Sequence, residues 1–370
     1  MKRRSVLDIV RAHNRYRAGC INLIPSENVL SPQVLEALSS DLAGRYAFRP
    51  EFYGGTGYAH RIWEECEILA SQVFDAEYCD VTPLSGHVAL MVALYTVAGR
   101  GGTLARIPTD AAGYPGLADD KIPEVFGMSV VDLPYREHMV DVDASLELLR
   151  LKRPDVVVLG ASLILYPHPV KELAETVHSY GGRVIYDGSH VLGLIAGGRF
   201  QEPLKEGADI LLGSTHKSFP GPQGAIISTN DKSLARRLQA NMLHKFVDNI
   251  HLNRVAALAV SLEEMRRFGR QYAGRVISNA KSLAYNLERA GFKVFKTGMG
   301  YTMSHQVYIP MVEAEGGRFR DRLEKVSRRG MTSTEMGHIA RLVGRAVSGE
   351  DVSQDAFRLA KRFKRLRYTL

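Results

Sequence analysis

Cysteine is scarce in this chain of 370 residues. Cys20, Cys66 and Cys79 are an odd set with no CxxC spacing. That excludes a disulfide framework and a cysteine-based zinc site, and it points to reduced thiols in a cytoplasmic protein. Long apolar runs are missing too. None reaches the roughly 18–20 residues that a bilayer span needs, so no membrane is expected as a partner. The basic start MKRRSVLDIVRAHNRY is interrupted by Asp8 and other polar residues, which leaves no signal-peptide core. There is no GxxxxGK[ST] phosphate loop and no HExxH helix, and the 12 histidines show no paired zinc spacing. No metal is expected. Internal repeats, low-complexity tracts and a Gly/Ser linker are also lacking.

What remains is an ordinary globular composition, 45% hydrophobic and 24% charged, on a chain long enough for more than one core. The formal charge of +8 raises nucleic acid as a partner. Its location argues against that. Arg358, Lys361, Arg362, Lys364, Arg365 and Arg367 crowd the last fifteen residues without an acid among them. Ala356, Leu359, Phe363, Leu366 and Leu370 recur there at helical spacing. The stretch 356–370 therefore reads as an amphipathic helix with a solvated basic face, and nucleic acid binding is not expected.

Apolar runs that fit buried strands occur at VVVLG (156–160), VIYD (184–187), ADILLGS (208–214) and GAIIS (224–228), with helical patterns between. This alternation predicts an α/β fold with a mostly parallel sheet. Such sheets bind ligands at the carboxyl ends of their strands. Those ends carry Ser162, Asp187 and the turn Ser214–Lys217. A long helical pattern runs from Arg254 to Leu287, and strands are expected at FKVF (292–295) and SHQVYIP (304–310). The expected organisation is an N-terminal arm (1–30), a large domain (31–253) and a smaller C-terminal α+β domain (254–370).

Three segments carry candidate chemistry. Lys217 follows a buried strand, is flanked by hydroxyl residues, and precedes a Gly/Pro-rich turn. A desolvated lysine forms a Schiff base readily, although a loop lysine on the surface gives the same pattern. Asp187 ends a buried strand. Facing a pyridine ring it would keep the ring nitrogen protonated, and otherwise it would serve as a helix cap or cation ligand. Pro83-Leu-Ser85-Gly86-His87 opens a helix, where free N–H groups suit a phosphate. In this order the three match a fold-type I pyridoxal-phosphate enzyme.

The chain resembles the serine hydroxymethyltransferase family, particularly its shorter archaeal forms, nearly from end to end. The motifs are NLIPSEN (22–28), YGG (53–55), PLSG (83–86), YDGSHVLGLIAGG (186–198), STHKSFPGPQG (214–224) and SHQV (304–307). The resemblance implies that Lys217 carries pyridoxal 5'-phosphate, that Asp187 pairs with its ring nitrogen, and that His190 and Ser162 support the ring hydroxyl side. It places Ser85, Gly86 and His87 around the phosphate and Ser214, Thr215 and His216 beside the lysine. Ser26 and Arg328 would hold the substrate carboxylate. Tyr46 and Tyr53 would reach a neighbouring subunit's site, implying a homodimer.

The implied reaction interconverts serine and glycine, passing a one-carbon unit to tetrahydrofolate or tetrahydromethanopterin. Three departures stand out. Phe48 sits where the family has a catalytic Glu, leaving Glu51 as a substitute. Tyr114, in Asp110-Ala-Ala-Gly-Tyr114, replaces a ring-stacking histidine. The C-terminal domain is shortened near 326–327, and Arg329 rivals Arg328. These departures keep two alternatives open: an aldolase or transaldolase acting on another β-hydroxy amino acid such as threonine, and a degenerate cofactor-binding paralogue with a regulatory or RNA-binding role.

Overall fold

The computed structural model describes residues 5–24, 26–310, 320–322 and 324–370. Eleven strands occur in this described part. They are Tyr78–Asp80 (β1), Thr103–Arg106 (β2), Ser129–Asp132 (β3), Tyr135–Arg136 (β4), Met139–Val140 (β5), Val156–Leu159 (β6), Arg183–Asp187 (β7), Ile210–Ser214 (β8), Ala225–Thr229 (β9), Gln306–Tyr308 (β10) and Arg320–Arg322 (β11). Seven form one sheet in the order β1-β9-β8-β7-β6-β2-β3. The run from β3 through β8 is parallel, and β9 and β1 close one edge antiparallel. This is the α/β fold expected from the apolar runs.

Of the four strands read from sequence, β6, β8 and β9 are buried at every residue and β7 at its three central ones. Val156, Val158, Ile185, Ile210, Leu212, Ala225 and Ile227 share one core cluster. Helix Gly86–Val97 packs into that cluster and buries Ala89, Leu90, Ala93 and Leu94 fully. Burying each Leu in this way stabilises the unit by about 1.5–3 kcal/mol. The helix is thereby fixed, and its N-terminus has a defined place.

Two compact units emerge. The larger comprises Asn28–Gly274 with Thr369–Leu370, and the smaller comprises Met1–Glu27 with Arg275–Tyr368. Residues 1–30 are thus not a separate arm. Ile21 and Leu23 pack on the core of the smaller unit, beside Leu283, Val307, Ile339 and Leu359. Helix Leu252–Arg289 is continuous, and the division falls inside it at Arg275 rather than at 254. An unbroken helical pattern offers no punctuation at that point.

Two sequence expectations shift. FKVF (292–295) is not a strand. Phe295 donates one backbone hydrogen bond to Tyr308 at 2.9 Å, while the ladder of β10 is formed with β11. The last helix spans Ser353–Arg362 and does not continue to 370. Beyond it, tertiary partners replace helical ones: Arg329 Nη1 donates to the Phe363 carbonyl at 3.3 Å, and Arg367 N–H donates to the Arg328 carbonyl at 2.8 Å. Lys364, Arg365 and Arg367 therefore lie outside the helix. Among the described residues no helix is long and apolar enough to cross a membrane.

Buried His168 marks a pH-sensitive point of the larger unit. Gln201 closes on its backbone, accepting from its N–H and donating to its carbonyl, both at 2.7 Å. Burial pulls the imidazole down to about 4. The native state holds it neutral, while the unfolded chain takes up a proton below its ordinary value near 6.5. Stability is thus present at neutral pH and is lost as the pH falls from about 6.5 towards 4, by up to roughly 3 kcal/mol. Urea unfolding at pH 7 and pH 4.5 is expected to show a smaller loss in His168→Asn than in the parent. Equal losses would assign the acid sensitivity to other groups.

Candidate active site

The parallel strands β6, β7 and β8 lie side by side, so their carboxyl ends open on one cleft. It is lined by Gly86, His87, Tyr114, Ala161, Asp187, Ser189, His190, Ser214 and Lys217. Seven of these are residues singled out from sequence. The exceptions are Ala161 and Ser189.

Each element contributes a distinct group. Asp187 is the last residue of β7, and its Oδ1 accepts from Ser189 N–H at 3.0 Å. Gly160, just past β6, makes this possible, because a Cβ there would lie 2.6 Å from the Asp187 Cβ. Ser214 ends β8 and donates its N–H to Ser189 Oγ at 3.0 Å, tying the ends of β7 and β8 together. Lys217 follows in a bend, with its Nζ 3.4 Å from His190 Nε2.

Opposite these, helix Gly86–Val97 points its N-terminus into the cleft. Ser85 caps it, its hydroxyl accepting from Val88 N–H at 3.2 Å. Gly86 is in close contact with the strand ends. A Cβ at this position would meet Ser214 Oγ at 2.3 Å and Ser189 Oγ at 3.0 Å. Hydroxyls and backbone N–H groups therefore converge where the helix dipole is positive.

Tyr114 forms another wall. Its hydroxyl lies 3.0 Å from His87 Nδ1, and the two rings meet edge to face at 6.1 Å. Burial raises its phenol pKa, and the negative charge of Asp187 adds to the shift. Ser162 acts on this wall from behind. Its N–H donates to the Ala112 carbonyl at 2.7 Å and its hydroxyl to the Gly113 carbonyl at 3.4 Å. Thr215 is fully buried and turns its hydroxyl to the Pro222 carbonyl at 2.6 Å, closing the loop that carries Lys217. His216 sits beside the lysine. Burial, with the Lys217 charge adding, pulls its imidazole down to about 4.

The remaining candidates lie elsewhere. Tyr46 and Tyr53 are 44% and 45% exposed and belong to an aromatic patch with Phe48 and Phe52. Glu51 is exposed, accepts from Thr56 Oγ1 at 2.6 Å, and faces His60 at 3.9 Å. The cleft is built wholly by the larger unit, whereas Ser26 and Arg328 belong to the smaller. Ser26 is exposed, and its neighbour Glu27 pairs with Arg17 and Asn22. Arg328 is fully buried at the end of helix Glu324–Arg328, and Arg329 is half-buried. The expected shortening near 326–327 abuts residues 311–319 and 323, which lie outside the described residues.

Ser189 is the functional candidate that sequence reasoning missed. It stands between Asp187 and His190, so its position was in view. Its partner Ser214 is 25 residues away, and only the pairing of β7 with β8 brings the two hydroxyls to 3.2 Å.

Comparison with known proteins bears on this arrangement. The sequence profile of a family described as serine hydroxymethyltransferase matches residues 1–329. The serine hydroxymethyltransferase of Pyrobaculum neutrophilum is 37% identical over 402 aligned positions, covering 98% of this chain and 94% of the relative. That of Methanopyrus kandleri is also 37% identical, with the same coverage. The Sulfolobus acidocaldarius protein is 41% identical over 318 positions, covering 84% of this chain and 73% of its own. An alignment of 402 positions exceeds the 370 residues present, so it contains gaps opposite this chain.

Among solved structures, the L-threonine transaldolase from Pseudomonas fluorescens in its internal aldimine state aligns with a TM-score of 0.90 at 24% identity. It covers 98% of this chain and 92% of that one. At that identity the likeness shows the fold alone, a fold-type I pyridoxal-phosphate architecture. The family match spans the helix N-terminus, the strand-end carboxylate and the lysine turn alike, and this chain belongs to the serine hydroxymethyltransferase family.

Proposed function

We propose that the cleft binds pyridoxal 5'-phosphate through Lys217, and that the protein interconverts serine and glycine with transfer of a one-carbon unit to a reduced pterin. The carrying observation is that Lys217, Asp187 and the N-terminus of helix Gly86–Val97 meet in one cleft. The donor set fits the cofactor. N–H groups and the Ser85, Ser189 and Ser214 hydroxyls suit a phosphate dianion, and a strand-end carboxylate suits a protonated ring nitrogen. Bound there, the cofactor supplies an electron sink for the Cα of an attached amino acid.

The chain's own groups do the rest. Asp187 keeps the proton at the ring nitrogen. Tyr114, in the wall of the cleft, would take the stacking role of a histidine. Lys217 Nζ, 3.4 Å from His190 Nε2, would hold the cofactor. Ser26 and Arg328 recognise the substrate carboxylate, and Arg328 binds it in two-pronged fashion. The exposed Tyr46 and Tyr53 complete the site of a second copy in a homodimer, and Glu51 supplies the proton-transfer group missing at Phe48. The one-carbon acceptor is tetrahydrofolate or tetrahydromethanopterin, and the setting is the cytoplasm.

Purified protein titrated with the cofactor is expected to develop a visible absorbance band. Lys217→Ala should abolish the band and lower serine turnover by at least about 10³-fold. Gly86→Ala should keep the fold but weaken cofactor affinity by about tenfold or more, since its Cβ enters the Ser214 hydroxyl. Serine cleavage should require the pterin. Equal turnover of serine and allo-threonine without pterin would replace this reading with an aldolase.

Glu51→Gln tests the proton-transfer assignment separately. The expected result is a loss of about 10²-fold in kcat with KM for serine little changed. A loss under twofold would leave Glu51 as no more than the partner of Thr56.

A further inference from the structure

Lys217 lies three residues beyond the end of β8, where no sheet ladder fixes its backbone. Buried carbonyls in such a bend need partners from elsewhere. Two side chains distant in sequence supply them. Asn28 Nδ2 donates to the Lys217 carbonyl at 2.8 Å and approaches the Ser218 carbonyl at 3.4 Å. The Tyr272 hydroxyl donates to the Ser218 carbonyl at 2.8 Å and accepts from Asn28 Nδ2 at 3.0 Å. Tyr272 is fully buried, and Asn28 uses its Oδ1 to accept from Val29 N–H at 2.8 Å. A fourth contact holds the same bend, with Gly193 N–H donating to Ser218 Oγ at 3.0 Å.

We infer that Asn28 and Tyr272 are positioning residues that clamp the Lys217 backbone and so set where its Nζ stands in the cleft. This rests on the reading of Lys217 as the cofactor's anchor. The lysine reaches its target through a flexible four-carbon stem. Only a fixed Cα gives that stem a defined reach to both the attached and the released positions. Neither Asn28 nor Tyr272 is among the residues lining the cleft. Its effect passes through the peptide groups of residues 217 and 218.

The Asn28 end also links the clamp to the NLIPSEN segment. Asn28 is the first residue of the larger unit, so the side chain that braces the lysine sits where the chain enters that unit. A purely structural role would tie down this entering segment and nothing more. That alternative predicts a lower melting temperature with unchanged cofactor spectroscopy.

The test uses the cofactor-loaded protein without substrate. The pH midpoint of the visible band of the lysine-bound cofactor is measured for the parent, Tyr272→Phe and Asn28→Ala. Tyr272→Phe keeps the buried ring and removes one donor, so it guards against a folding failure of Asn28→Ala. Both variants are expected to bind the cofactor stoichiometrically, to shift the midpoint by about half a pH unit or more, and to slow recapture of the cofactor by the lysine about tenfold after glycine is removed. Midpoints and recapture rates equal to the parent's in both variants, even with lowered melting temperatures, would overturn the clamp and leave the cofactor reading standing. A parent protein with no visible band would instead overturn the cofactor reading and the clamp with it.

Discussion

Strand register is the constraint on which the site depends. Leu159 of β6 lies opposite Tyr186 of β7, and Asp187 lies opposite Leu212 of β8. Three parallel strands therefore end at nearly one level, and their exits share a cleft. A slip of one residue in β7 would turn Asp187 to the other face of the sheet. The interior resists such a slip, because Val184, Ile185 and Tyr186 are fully buried. Packing in the core thus holds the carboxylate where its chemistry is useful. The same register brings Ser189 to Ser214, and the pair leaves room for the N-terminus of a helix only because residue 86 has no side chain.

Charge in the cleft follows from this geometry. One strand-end carboxylate faces a lysine, two histidines and the positive end of a helix dipole. Such a set favours an anionic ligand with a basic nitrogen that the carboxylate can hold protonated. The loop from Thr215 to Gly224 is closed on itself by Thr215 Oγ1 to Pro222 and by Gly221 N–H to the Thr215 carbonyl at 2.8 Å. The lysine therefore sits on a preformed turn whose Lys217 and Ser218 carbonyls are claimed by Asn28 and Tyr272.

The central strands were legible in the sequence because both of their faces are buried, and such strands read as continuous apolar runs. The strands β1, β2 and β3 were not. β3 is an edge strand with no fully buried residue, and β1 holds three half-buried residues. In β2, Arg106 is buried yet paired with Asp119 and Asp132, both at 2.8 Å, so a charged residue occupies a core position and hides the apolar pattern. Motif reading had a related limit. It named Thr215 and Ser162 along the chain but gave no direction for their hydroxyls. Those point to the carbonyls of Pro222 and Gly113, partners that only the folded loops bring within reach.

The smaller unit poses a different problem, that of an arginine kept inside. A guanidinium removed from water costs several kcal/mol unless its environment compensates. Arg328 is fully buried, and Arg329 next to it is half-buried, with burial holding its pKa below the ordinary value. The two differ in what holds them. Arg329 spends a donor on the Phe363 carbonyl, so it helps to anchor the C-terminal tail. Arg328 receives that tail through its backbone carbonyl, which accepts from Arg367 N–H, and its side chain takes no part in that contact. Next to it, Ser327 is fixed by Asn279 Nδ2 at 2.8 Å, and the same amide holds the Met331 carbonyl at 3.0 Å. The Ser327 hydroxyl and the Met331 carbonyl are thus joined through one buried amide. That bridge spans Arg328 and Arg329 alike, and it is the tail contact through the Arg329 side chain that sets the two apart.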